Sequence, residues 1–305
     1  MKILITGGAG YKGSILAKEL LDRNHQVTIL DNFMYGYDSI LHIINNSNLK
    51  IKKIDIRNVK ETDLKEYDVI YHLAGISGMP ACAANPHSAE AINVESVDKM
   101  IKILSKDQIL INASTTSMYG YSEIICDEKS QINPVSIYGK TKYEAEKIIQ
   151  NRENSISLRF ATVFGVSTKM RNDLMVNDFV YRSIHERNII LFAAHTKRTF
   201  IHINDAINAY IFTLDNFEAM KDDVYNVGDE KMNLSKLDIC ENIKDFVKFE
   251  TINSTLPDLD NRNFEISFQK IKKLGYNVNY SLRDGVEDLV KLYTVYVYNL
   301  PYNII

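Results

Sequence analysis

The chain has 305 residues, 45% hydrophobic and 25% charged, a globular balance that excludes disordered and fibrous classes. Thirty-six Lys and Arg against 39 Asp and Glu leave a charge of −3, which provides no electrostatic basis for binding nucleic acid or an anionic membrane. No apolar run approaches the ~18 residues of a membrane span, and Cys82, Cys126 and Cys240 are too few and too scattered for a disulfide framework or a zinc knuckle.

In chain order, β-branched runs predict strands at 2–6, 26–30, 50–54, 69–73, 109–114 and 155–160. Helical periods fall between them at 14–24, 59–64, 89–105 and 140–151. Six strands in this alternation predict a doubly wound parallel α/β sheet. After Gly165 the pattern loosens into a helix at 170–187, strands at 189–192 and 198–203, a helix at 205–216, a strand at 224–227, and helices at 234–246 and 267–274. The expectation is a first domain over 1–165 and a smaller mixed α/β lobe over 166–305, with a cleft between them. The opening Met1-Lys2-Ile3-Leu4-Ile5-Thr6 turns straight into glycines and so reads as no signal peptide, and the cysteines fit a reduced cytoplasm.

Gly7-Gly8-Ala9-Gly10-Tyr11-Lys12-Gly13 follows the first strand and opens a helix. Glycines at this spacing give a tight turn and let the backbone approach a pyrophosphate, which the helix N-terminus then attracts. Asp31 ends the second strand 18 residues after Gly13, the place for an acid that hydrogen-bonds an adenosine ribose. Its charge opposes a 2′-phosphate, and Asn32 and Phe33 supply no arginine to welcome one, so NAD is expected rather than NADP. Asp55 is placed at the adenine amino group, with a strand-end cap as its rival role. Asn32, Ile56, Leu73, Ala74 and Gly75 complete the expected cofactor wall. Lys12, the cation of the loop, reads as a solvated side chain rather than a phosphate contact, and His72 as a satisfied, partly buried histidine.

Tyr138 and Lys142 stand four apart at the start of a helix and therefore share a face. A phenol titrates near ~10, and a neighbouring ammonium together with a cationic nicotinamide favours the phenolate needed for a base. Ser114-Thr115-Thr116-Ser117 follows the fifth strand, where ligands of doubly wound sheets sit, and a hydroxyl there can hold the oxygen that Tyr138 deprotonates.

GGAGYKG, Asp31, HLAG, STTSMYG, YGKTK and RTFIHINDA occur in the order found in the extended short-chain dehydrogenases/reductases that act on nucleotide sugars, and the chain resembles that family over nearly its whole length. The resemblance implies Thr115, Tyr138 and Lys142 as catalytic residues and Gly7, Gly10, Gly13, Asp31, Asp55 and Asn93 as cofactor contacts. It also implies Arg198 as the clamp on a nucleoside diphosphate, a task that suits a guanidinium fork. Thr115, Thr116, Arg171, Asn177, Arg198 and Arg262 are the expected contacts of a nucleoside-diphosphate sugar. Family members often dimerise through two helices each, which points to 89–105 and 140–151 and to a homodimer or higher homo-oligomer.

Departures from the family narrow the chemistry. Dehydratases carry Asp and Glu after the catalytic Thr, and decarboxylases a Glu at the second position; here Thr116 and Ser117 stand there, disfavouring both reactions. The stretch also lacks the Cys and His of the 3,5-epimerase/reductases. Thr162 replaces a common Asn, and Leu259-Asp260-Asn261-Arg262-Asn263-Phe264 departs from a common 4-epimerase stretch. Residues 161–180 look like a subgroup of surface-polysaccharide enzymes, nearest the NAD-dependent C4 dehydrogenases of GDP-manno-heptose in capsule assembly. The reading is therefore NAD-dependent C4 oxidation of a nucleotide sugar, with 4-epimerisation as the alternative.

Overall fold

The computed structural model describes residues 1–256, 258 and 262–297. Its centre is a seven-stranded parallel sheet. The strands in chain order are β1 (Lys2–Thr6), β2 (Gln26–Asp31), β3 (Leu49–Lys53), β4 (Val69–His72), β5 (Ile109–Thr115), β6 (Ser155–Phe160), β7 (Thr162–Phe164), β8 (Asn188–Phe192), β9 (Lys197–His202), β10 (Asp223–Val227), β11 (Asn233–Ser235) and β12 (Glu250–Ser254). The central sheet runs β10-β6-β5-β4-β1-β2-β3, so the order reverses between β1 and β4. That reversal opens a crevice at the strand C-termini, where such folds take their ligands.

The two faces of the sheet follow from the period of two in a strand. Ile3 and Ile5 of β1 pack with Leu16 and Leu20 of the helix Gly13–Asp22 and with Tyr210 of the helix Ile203–Asp215. Leu4, between them, joins Val97, Met100, Ala145 and Ile149 from helices Ser96–Ile103 and Ile137–Gln150 on the other face. Strands buried on both sides carry apolar residues at consecutive positions, as Ile3, Leu4 and Ile5 do, so they read as runs rather than alternations.

The six expected strands and the helices between them are present, with ends displaced by up to three residues. The expected helix over 89–105 is broken instead. Pro86–Glu90 starts at a proline, capped by Asn85 accepting from the Ser88 N–H at 3.0 Å, and a π-helical turn at Ala91–Glu95 precedes Ser96–Ile103.

The division at residue 165 also needs correction. β10 pairs with β6 in the central sheet, and Ile203–Asp215 packs on the first lobe, so the chain returns there after leaving it. The second lobe keeps its own core, in which Val176, Phe179, Ile239, Ile243, Val286, Leu289 and Tyr293 pack together. The helix Leu282–Val295 was not foreseen, although Ser281 and Asp284 form the capping box that announces it. Cys82, Cys126 and Cys240 are buried and unpaired.

Candidate active site

Between the lobes lies a cleft of about 390 Å³, bordered by the ends of the β1, β4, β5 and β6 strands and by the loop over 169–175. Gly7, Gly10, Gly13, Leu73, Gly75, Thr115, Ser117, Tyr138, Lys142, Arg171, Arg198 and Arg262 all reach it, which brings together most residues expected from sequence.

The glycine loop is shaped by two different constraints. Gly7 has φ +70°, and a Cβ there would sit 2.7 Å from the Ala74 backbone nitrogen, so β1 and β4 can diverge only around glycine. At Gly10 an added Cβ would meet only the Gly7 carbonyl oxygen at 3.2 Å, leaving bare backbone toward the cleft for a ligand to approach. Asp31 accepts from the Ala9 N–H at 3.0 Å and the Phe33 N–H at 2.8 Å, which fixes its carboxylate beside this loop. Burial raises its pKa while those amides pull it back.

Asp55 shows the capping role most directly. Its carboxylate takes both Arg57 Nε (2.9 Å) and Nη2 (2.8 Å) as well as the Arg57 N–H (3.0 Å), and that grip lowers it to about 2. Asn32 reaches the same carboxylate at 3.4 Å, and Ile56 is buried in the core. Asn93 does not face the cleft. It is 1% exposed, accepts from the Ile76 N–H at 2.8 Å, and donates to the Ile76 carbonyl at 3.0 Å and the Thr141 hydroxyl at 3.1 Å. It is a brace that holds the chain after Gly75 against the helix Ile137–Gln150. His72 is buried, shares a bond with the Thr6 hydroxyl at 2.9 Å, and is driven down to about 3 by burial. Its Nε2 is buried with no hydrogen-bond partner among the described residues, so the ring is more buried and less satisfied than the expected partly buried histidine.

Ser136 caps the helix Ile137–Gln150 by accepting from the Gly139 N–H at 3.1 Å, which fixes Tyr138 and Lys142 on its first two turns. Burial raises the Tyr138 phenol, while hydrogen bonding with the Ser77 and Thr115 side chains opposes the rise. Desolvation prevails over these, and Lys142 is not among the leading influences on the phenol. Lys142 is 6% exposed, and burial lowers its ammonium to about 8 despite the Glu146 carboxylate. Thr115 closes β5 and caps the turn Thr116–Tyr119 by accepting from the Ser117 N–H at 3.1 Å. Ser77, outside every motif, is a residue that sequence reasoning missed. A small hydroxyl two residues after Gly75 was its only signal.

The expected substrate residues divide. Arg198 is 2% exposed and lines the cleft, and Arg262 reaches across to donate to Ser117 Oγ at 2.6 Å. Arg171 lines the cleft while paired with Asp173, its Nε at 2.6 Å from Oδ1. Thr116 is not at the cleft. As first residue of the turn it points into β6 and donates to the Phe160 carbonyl at 3.2 Å. Asn177 lies behind the wall, fully buried, accepting from the Gly165 N–H at 3.0 Å and donating to the Arg171 carbonyl at 2.8 Å. It supports the wall rather than forming it. Leu259, Asp260 and Asn261 lie outside the described residues.

The donors suit a dinucleotide: bare glycine backbone for a pyrophosphate, a carboxylate beside it for a ribose, and a desolvated ammonium at Lys142 in need of polar company. The model of the NAD dependent epimerase/dehydratase family matches residues 3–228. An uncharacterized UDP-glucose epimerase of Bacillus subtilis, YtcB, is 31% identical over 68% of this chain and 70% of its own. UDP-glucuronic acid decarboxylase 1 of Arabidopsis thaliana is 25% identical over 95% of this chain and 69% of its own. Among solved structures, the UDP-glucuronic acid 4-epimerase of Bacillus cereus, in complex with UDP-glucuronic acid and NAD, aligns with a TM-score of 0.83 and 26% identity over 96% of this chain and 99% of its own. The chain belongs to the NAD dependent epimerase/dehydratase family and is an NAD-dependent enzyme.

Proposed function

We propose that the protein oxidises the C4 hydroxyl of a nucleoside-diphosphate sugar and returns the hydride to the other face of the same carbon, a 4-epimerisation. The observation that carries this reading is the meeting of Tyr138, Thr115 and Lys142 in a cleft whose far wall holds Arg198 and Arg262. Bound NAD supplies the hydride acceptor. Thr115 orients the sugar hydroxyl and, with Ser77, offsets the burial of the Tyr138 phenol; Tyr138 takes the proton, and Lys142 holds the nicotinamide ribose beside it. Arg198 and Arg262 bind the diphosphate, so binding energy remote from C4 positions the reacting carbon. Asp31 with Asn32 holds the adenosine ribose, and Asp55 with Ile56 the adenine. Thr116 and Ser117 provide no acid–base pair for dehydration, and Ser117 stands where decarboxylases carry glutamate. The two epimerases among the relatives support this outcome.

Net C4 oxidation, with GDP-manno-heptose as substrate, is the second reading. It is favoured by the 161–180 block and by Thr162 and the 260–264 stretch, which depart from the epimerase pattern. A homodimer formed through helices Ser96–Ile103 and Ile137–Gln150 goes with either reading.

The test incubates purified enzyme with UDP-glucose, UDP-glucuronic acid and GDP-manno-heptose. Product stereochemistry is followed by NMR and the reduced cofactor by its near-ultraviolet absorbance. Interconversion of C4 epimers without an added acceptor is the expected result. Stoichiometric NADH, with turnover only after a 2-oxo acid is added, selects net oxidation. Absence of both removes C4 chemistry from this cleft.

A further inference from the structure

Lys12 contradicts its reading as a solvated side chain. From within the glycine loop its ammonium donates to the Tyr210 hydroxyl at 3.1 Å and lies 4.0 Å from the centre of the Phe160 ring. Phe160 ends β6 directly across from Thr115 in the sheet register, and its carbonyl receives the Thr116 hydroxyl. Lys12, Phe160, Thr115, Tyr138 and Lys142 line the same cleft. The half-buried side chain therefore places its ammonium on the cleft floor at the reacting end rather than on the outer surface. Among the described residues no carboxylate forms an ion pair with it, and burial, followed by repulsion from Lys142 and Arg171, brings it to about 7. Lysine is seldom desolvated without an anionic partner, because aromatic faces return only part of the lost hydration.

We propose that Lys12 is a cofactor-directed cation that makes this cleft bind the reduced nicotinamide cofactor in preference to the oxidised one. The diphosphate is common to both forms, so its attraction to Lys12 cancels in the comparison. The oxidised nicotinamide ring carries a positive charge that the reduced ring lacks, and a nearby ammonium penalises only the charged ring. When C4 passes two electrons and a hydrogen to that ring and its hydroxyl proton passes to Tyr138, the ring's charge disappears. Lys12 thereby favours the keto side of the reaction. This last consequence rests on the proposed C4 chemistry, whereas the binding preference rests only on cofactor occupancy.

The experiment measures dissociation constants of NAD and NADH below pH 7, where Lys12 is charged, in the absence of any sugar, for the wild type, Lys12→Met, Lys12→Gln and Lys12→Arg, with circular dichroism to verify folding. Removing the charge is expected to lower the ratio of the NAD constant to the NADH constant by about tenfold. Lys12→Arg keeps the charge and is expected to keep the ratio. Lys12→Gln tests the same point if Lys12→Met does not fold, since it can still meet Tyr210. Equal weakening of both forms assigns Lys12 to the diphosphate alone and overturns the proposal, as does no change in either. Because no sugar is present, failure of the C4 reading leaves this result standing, and the reverse holds as well.

Discussion

The proposed cofactor wall and the proposed substrate wall of the cleft are assembled differently. Residues 7–13, Asp31 and Leu73 lie at the ends of three strands adjacent in one sheet, and much of what they offer a ligand is backbone. Opposite them, Arg171, Arg198 and Arg262 arrive from a loop, from β9 and from the chain after β12, and they offer side chains. The two walls are tied together at few points. Tyr11 donates to the Gly165 carbonyl at 2.6 Å, Ser167 to the Tyr11 carbonyl at 2.7 Å, and Thr168 to Ser14 at 2.8 Å. A dinucleotide has a constant shape that a fixed turn can match, whereas sugars differ and call for side chains on separate segments.

The sharpest test of this contrast lies at the catalytic helix. Tyr138→Phe removes a base but none of the cofactor wall, so turnover is expected to fall by ~10²–10⁴-fold while calorimetry finds NAD affinity within about threefold of wild type. A comparable loss of NAD affinity would mean that the cofactor wall depends on this phenol and would break the distinction.

Next in size is the pair beneath the site. Glu146 is fully buried, binds Arg159 through Nη2 at 2.6 Å, and accepts from Ser114 at 2.6 Å. Glu146→Ala strands a buried guanidinium and is expected to cost about 3–5 kcal/mol of stability in urea unfolding. A loss below ~1 kcal/mol would show that water enters the base of the catalytic helix.

The pH dependence of the cofactor-free protein tests whether the cleft truly desolvates its cations. The Lys142 pKa is near 8 when folded, below its ordinary value of 10.5. Between these values the unfolded chain binds more protons, so stability rises with pH through that window, and the penalty is fully present below pH ~8. The group alone contributes roughly 3 kcal/mol across it, and Lys142→Met is expected to flatten the rise seen in thermal melts. If both proteins show the same slope, Lys142 is hydrated.

The smallest effects concern selectivity. Wild type is expected to bind NAD at least about tenfold tighter than NADP, and Asp31→Ala to narrow the gap, as read by calorimetric titration. Asn177→Ala, behind the substrate wall, is expected to raise KM for the sugar nucleotide about threefold with kcat nearly unchanged, because it releases the Arg171 carbonyl and Gly165 without removing a substrate contact. A fall in kcat instead would mean that the substrate wall is coupled to the chemistry.

Residues whose placement depends on local geometry were legible in advance. A glycine turn, an acid ending the next strand and a tyrosine one helical turn from a lysine are set by spacing along the chain, and the sheet places them together once it forms. Tertiary packing decided the rest. Thr116 and Thr115 are neighbours of the same chemistry, yet one caps the turn at the cleft and the other donates into β6. Asn93 and Asn177 bear the polar groups of ligand contacts, but their hydrogen bonds are spent on Ile76, Thr141, Gly165 and Arg171, each distant in sequence or hidden by a loop. Lys12 shows the same limit from the other side. Its place in the loop was visible, while the aromatic floor beneath it comes from Phe160 and Tyr210, and no local pattern reports a partner 198 residues away. Periodicity and spacing act over a few residues and determine backbone and motif, whereas the environment of a side chain, and with it its charge and its task, is created by segments that only the folded chain brings into contact.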